Sequence, residues 1–102
     1  MSGGDKFAAM IGFAKRAGKI VYGFDGLKTA RHIELLAVSE TASDNLKDGM
    51  ARLAEKRALP LIYADALEAV VGNNVKALGI TDKNMARAML DYAASGAPHY
   101  RT

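Results

Sequence analysis

Residues 15–31 read KRAGKIVYGFDGLKTAR. A basic turn, a short strand, a glycine-flanked turn and a basic helix start follow one another directly. Gly18 fits the stop of a preceding helix, and Ile20, Val21 and Tyr22 form a β-prone run. A new helix then starts near Asp25 or Gly26 and runs to about His32. Such a turn exposes backbone N–H groups where the helix dipole is positive, with lysines and arginine close by in the chain. That arrangement suits an anion, and the natural large anion is a nucleic-acid backbone.

The alternation of helix and strand continues in both directions. Upstream, Phe7, Met10, Ile11 and Ala14 recur at i, i+3, i+4 and i+7, which predicts an amphipathic helix over about 5–16, capped by Asp5. Downstream, the apolar run from Leu35 to Val38 suits a buried strand. Thr41 or Ser43 can cap a long helix to about Arg57, with Leu46, Met50, Leu53 and Ala54 on its inner face. Pro60 separates that helix from a third strand at Leu61, Ile62 and Tyr63. Asp65 is expected to cap a short helix through Val71 that Gly72 stops, and Val75 to Ile80 reads as a fourth strand. Asp82 then caps a last helix that turns Met85, Ala86, Met89, Leu90 and Ala93 inward. Helices separated by short apolar strands imply an α/β fold, a central sheet covered on both faces in a three-layer α-β-α sandwich.

At 102 residues the chain is expected to form one domain, 1–102, with one continuous core and a loose tail from about residue 95, where Gly96 and Pro98 fall. Half of its residues are hydrophobic and a quarter are charged, an ordinary folded composition. It has no cysteine, which excludes disulfide scaffolds and thiolate metal sites. No apolar run reaches membrane-spanning length and the N-terminus has no signal-peptide core, so a cytoplasmic protein without a membrane partner is expected. The net charge of +3 is unevenly spread. Residues 1–31 carry six basic and two acidic side chains, a net of +4, whereas the rest carry eight and nine, a net of −1. A basic face in the first third would attract phosphate.

Several chemistries fail on spacing. Gly23-Phe24-Asp25-Gly26-Leu27-Lys28-Thr29 superficially suggests a phosphate-wrapping nucleotide loop, but Leu27 stands where glycine must precede the Lys-Thr pair and Tyr22 where the first glycine belongs. The only histidines, His32 and His99, have no metal-ligand spacing and no assembled nucleophile, so no metal, no cofactor and no catalytic residue is expected. Asp44/Asp48 and Asp65/Glu68 look like caps and solvated faces, and Met10, Met50, Met85 and Met89 fit helix cores.

The backbone-rich loops remain. In an α-β-α fold, ligands favour the loops at the carboxyl ends of strands. The candidates are Tyr22–Gly26, Ser39–Ser43 and, before the last strand, Gly72–Lys76. The last reads Gly-Asn-Asn-Val-Lys, and its amides and the apolar Val75 suit a flipped base; the plainer reading is an Asn-rich turn.

Three stretches, in order, make the chain recognisable. They are Gly12-Phe13-Ala14-Lys15-Arg16-Ala17-Gly18-Lys19, then Ser39-Glu40-Thr41-Ala42-Ser43-Asp44-Asn45 with Lys47, then Ile80-Thr81-Asp82-Lys83-Asn84-Met85-Ala86. From about Phe7 to Leu90 the sequence resembles the kink-turn RNA-binding ribosomal-protein family (the L-seven-Ae and L-thirty-e type), in its bacterial YlxQ-like branch. The resemblance implies a four-stranded mixed sheet between helices, a non-enzymatic role and binding to structured RNA. The family's RNA-contacting motif, Gly-x-Asn-Glu-x-x-Lys, falls on residues 23–29. Gly23 matches it, while Asp25 stands for the asparagine, Gly26 for the glutamate and Thr29 for the lysine, with Lys28 one residue early. Glycine cannot accept hydrogen bonds from guanine edges as glutamate does, and Asp25 accepts without donating. The stretch from Gly23 to Glu40 is also about three residues shorter than in the family, about one helical turn.

The expected interface therefore holds phosphate with Lys15, Arg16, Lys19, Lys28 and Lys76 and with the amides of Gly23, Phe24, Asp25 and Gly26. Glu40 and Thr41 on one side and Asn73, Asn74 and Val75 on the other flank it. Phe24 is expected to pack as a staple, the other reading being a platform for a base. The expected partner is structured RNA, ribosomal or other, and not DNA. The alternative function is a protein-interaction module on the same fold that has lost RNA binding, which Gly26 and Thr29 would permit.

Overall fold

A computed structural model describes residues 4–102, with side chains from Lys6 onward. Along the chain run α1 (Gly4–Arg16), β1 (Ile20–Tyr22), α2 (Phe24–Thr29), β2 (Leu35–Ser39) and α3 (Asp44–Arg57). There follow β3 (Leu61–Ala64), α4 (Leu67–Val71), β4 (Ala77–Ile80), α5 (Lys83–Ala94) and β5 (Tyr100–Arg101). The strands form one mixed sheet in the order β1-β4-β2-β3-β5. Strands β2 and β3 pair parallel, from Leu36 opposite Leu61 to Ser39 opposite Ala64, and every other pairing is antiparallel.

Strand alternation sends successive residues to opposite faces, and both faces are covered. Leu35, Ala37, Ile62, Leu78 and Ile80 pack with Phe7, Ile11 and Ala14 of α1, Leu67 and Val71 of α4, and Met89 and Ala93 of α5. Leu36, Val38 and Ala77 pack with Leu27 of α2 and with Met50, Leu53 and Ala54 of α3. The α-β-α sandwich is thus present: α1, α4 and α5 form one outer layer and α2 and α3 the other.

The sheet has five strands rather than the expected four, because the tail is not loose. Tyr100 is buried, its ring stacks on Phe7 with centroids 4.2 Å apart, and its backbone pairs with Ala64. Burial of one aromatic ring outweighs the turn signals of Gly96 and Pro98 before it. Three other boundaries also move. Helix α2 stops at Thr29 rather than His32: Arg57 donates to the carbonyls of Leu27 (3.0 Å) and Ala30 (2.5 Å), and the chain then turns through His32 (φ 61°) to bury Ile33. Helix α4 has Ala66 at its N-cap and no cap from Asp65; the N–H of Leu67 donates instead to Ser39 Oγ across the sheet, at 3.1 Å. Strand β4 begins at Ala77 rather than Val75.

Ser43 and Asp82 cap α3 and α5 as the sequence suggests, accepting from the N–H of Leu46 and of Met85. The expected Asp5 cap falls on a side chain outside the described residues.

Helix α2 packs its Leu27 side chain closely over Gly79 of β4. A Cβ on Gly79 would stand 2.5 Å from Leu27 Cδ2 and 3.2 Å from Ile33 Cγ2. Gly79→Ala should therefore cost about 1–3 kcal/mol in urea denaturation, through forced repacking of Leu27. An unchanged midpoint would show that α2 does not bear on β4.

Candidate functional site

Strands β1, β2 and β3 run one way and β4 and β5 the other, so the loops after the first three and before the last two meet at one end of the sheet. Backbone bonds tie them together. Gly23 N–H donates to Ala77 O (3.0 Å), Ser39 N–H to Lys76 O (2.9 Å), Glu40 N–H to Ala64 O (2.7 Å) and Asp65 N–H to His99 O (2.8 Å). All three loops singled out in the sequence converge here, and the tail joins them.

Between the end of β1 and the loop before β4 lies a cavity of about 170 Å³ lined by Lys15, Tyr22, Val71, Asn73 and Val75. Lys15 reaches it from the last turn of α1, with Nζ 3.4 Å from the Val71 carbonyl. Tyr22 ends β1 and is 45% exposed. Gly72, Asn73 and Asn74 take φ of 87°, 53° and 57°, three successive left-handed residues that glycine and asparagine accommodate best. Both asparagines are exposed, and Asn73 lines the cavity.

A polar latch joins the end of β2 to α4. Ser39 is fully buried and donates to Glu68 Oε1 at 2.6 Å, while Thr41 Oγ1 donates to Glu68 Oε2. With both protons committed to the carboxylate, the two hydroxyls stand 2.9 Å apart as a plain oxygen contact. Ser39 Oγ also accepts from the N–H groups of Leu67 and Thr41. The bonds from Ser39 and then Thr41 hold the Glu68 carboxyl below its ordinary 4.5 against the opposing effect of burial, with Lys76 adding attraction.

The remaining expected residues disperse. Glu40 is held by Arg101, whose Nε and terminal nitrogen lie 2.8 and 2.7 Å from Oε2, and by Lys47 at 3.9 Å. Phe24 is half-buried, its ring against Gly49 of α3, where a Cβ would meet Phe24 Cζ at 3.0 Å. Lys28 Nζ stands 5.3 Å from the centroid of that ring and 3.8 Å from Asp25, beside Arg52 and Lys56 in a shallow cleft between α2 and α3. Arg16 lies over Phe13 on α1. Lys19 precedes β1, and its carbonyl accepts from Thr81 N–H, which puts it at the other end of the sheet. Gly26 is where α2 nears β1: a Cβ there would lie 3.3 Å from Val21 Cγ1.

Comparison of the sequence with protein-family models and with curated proteins gave no significant match. The fold has a solved relative in shape. It is similar to the structure of a protein of unknown function from Bacillus halodurans C, with 19% identity and a TM-score of 0.72 over 82% of this chain and 92% of that one. That likeness concerns the fold alone. Among the described residues, no three His, Asp or Glu side chains are grouped to hold a metal ion, and no helix is long and apolar enough to cross a membrane.

Tyr22 and Ser39 open two of the loops singled out in the sequence but were given no contact of their own, and Glu68 was read as a cap or solvated face. Only Tyr22 had a local signal, an aromatic at the end of a strand directly before a glycine turn. Glu68, with its lowered carboxyl, stabilises the native state above about pH 4.5, and that contribution disappears as the pH falls through the lowered native value. Glu68→Gln should therefore be less stable than the parent near neutral pH. The gap between their urea midpoints should close on acidification below about pH 4; a gap independent of pH would dismiss the latch as an ionic one.

Proposed function

We propose that the protein is a non-enzymatic cytoplasmic RNA-binding protein that grips structured RNA, ribosomal or other, with the loop end of its sheet. The observation that carries this reading is the convergence of Lys15, Tyr22, Asn73 and Val75 around one open cavity, with the Gly23 turn tied to β4 beside it. A cation, an exposed aromatic ring, side-chain amides and an apolar patch are the components that hold a phosphate and an unstacked base. RNA offers such bases in bulges and loops, where a regular DNA duplex keeps them stacked.

The resemblance to the kink-turn family supports the same end of the molecule with a changed division of labour. Gly26 has no carboxylate with which to read a base edge, and its place against Val21 suits close packing of α2. Asn73 and Asn74 each carry a donor and an acceptor, so base-edge reading passes to the loop before β4. Lys15 and Lys76 hold phosphate there, and Lys28 does so from the far side of the Gly23 turn. Helix α2 has only six residues, so its dipole adds little to these side chains.

Binding of a kink-turn RNA duplex and of an unkinked control, measured at several salt concentrations, tests this. Lys15→Glu and Lys76→Glu should each weaken binding by about tenfold and lower the salt slope by about one. Tyr22→Ala should cost about 1–3 kcal/mol of affinity through lost stacking. Lys83→Glu, the same charge change at the other end of the sheet, should leave binding unaltered. Equal affinity for all these proteins would refute the loop end as the RNA site, and equal affinity for both duplexes would remove the kink-turn from the reading.

A further inference from the structure

We propose that the groove between α1 and α5 is a docking site for an amphipathic helix of a partner protein, with acidic residues flanking its apolar stripe. The groove has a volume of about 420 Å³ and is lined by Ala9, Met10 and Phe13 of α1 and Met85 and Ala88 of α5, with the polar Lys6 and Asn84 completing it. These positions recur at three- and four-residue spacing, so each helix contributes one apolar bank. Phe13 is 64% exposed on the outer side of a helix that already buries Phe7, Ile11 and Ala14. Its ring adds little to this chain's own core, and an exposed aromatic beside an apolar groove is the usual anchor of a protein contact. Ala9 and Ala88 are small and exposed, which lets another backbone come close, and the two methionines are side chains that adapt to a partner.

Charge selects the occupant. Lys6 Nζ lies 5.7 Å from the Tyr92 ring and the Arg16 guanidinium 5.3 Å from the Phe13 ring, so both cations are held against the aromatic side chains of this layer. Ten residues of α1 separate them, about 15 Å along the helix. Among the described residues no carboxylate lines the groove. A helix laid into it satisfies this surface with apolar residues at i, i+3 or i+4, and i+7, and with an Asp or Glu near each end. A second copy of this chain in the same groove would set Lys6 and Arg16 against their own counterparts, and like charges oppose that pairing. Nucleic acid would meet a mainly apolar floor with little to offer its phosphates. The groove belongs to the outer surface of the α1–α5 layer and does not depend on the loops assigned to RNA.

Two synthetic helical peptides with one leucine stripe, flanked in one case by Glu and in the other by Lys, test the proposal by fluorescence anisotropy and amide chemical-shift mapping on the full chain. The Glu-flanked peptide should bind at least about tenfold more tightly than the Lys-flanked one, with shifts confined to α1 and α5. Phe13→Ser and Ala88→Glu should each weaken it about tenfold while leaving the melting temperature and RNA affinity in place. Lys6→Glu should reduce the preference between the peptides. The proposal is overturned if neither peptide binds, if the two bind equally, if the shifts fall elsewhere, or if the free protein forms a dimer that Phe13→Ser dissolves.

Discussion

Leu35 to Ser39 of β2 leave no accessible side chain on either face of the sheet, and a strand buried twice over obliges the chain to supply helices for both. Leu35 and Ala37 are covered by the layer containing α1, α4 and α5, and Leu36 and Val38 by α2 and α3. The same strand ends on a hydroxyl that cannot reach water. Burial of Ser39 requires polar partners, and it finds them in Glu68, in the N–H of Leu67 and in the N–H of Thr41. One side chain thus starts α4, shapes the loop before α3 and positions the Glu68 carboxylate.

This arrangement separates charges that build the site from charges that can meet a ligand. Glu40 is neutralised by Arg101 and Lys47, and Asp65 stands 2.8 Å from His99, so much of the polarity at the loop end holds loops to one another. Lys15, Tyr22 and Asn73 surround open space instead, and Asn74 is exposed next to them in the chain. The outer layer carries a different surface, apolar along its length and cationic at its rim. The loop end proposed for RNA and the α1–α5 groove proposed for a partner helix lie on different parts of the molecule.

Much of the architecture was legible because its signals are local. The i, i+3, i+4, i+7 pattern around Phe7, the β-branched run at Ile20, the serine before α3 and the aspartate before α5 each act over one or two turns of chain. The fifth strand was not legible, since Tyr100 becomes a strand residue only by stacking on Phe7, far away in sequence. Asp65 had every local mark of a helix cap, yet a buried serine from another strand supplies that bond and leaves Asp65 to pair with His99. Two cations next to each other in sequence, Lys15 and Arg16, go to different surfaces because adjacent helical residues point about 100° apart.

By itself, then, the sequence determined the alternation of elements and the two-sided burial of the sheet, consequences of periodicity and capping, and it marked the three loops that the strand directions bring to one end. Tertiary structure decided which of the charged and aromatic side chains remain available. Glu40, Phe24 and Thr41 are engaged by groups distant in sequence, and Lys19 is set apart by the register of β1 against β4. Availability depends on distances between residues far apart in the chain, and those exist only once the layers have packed.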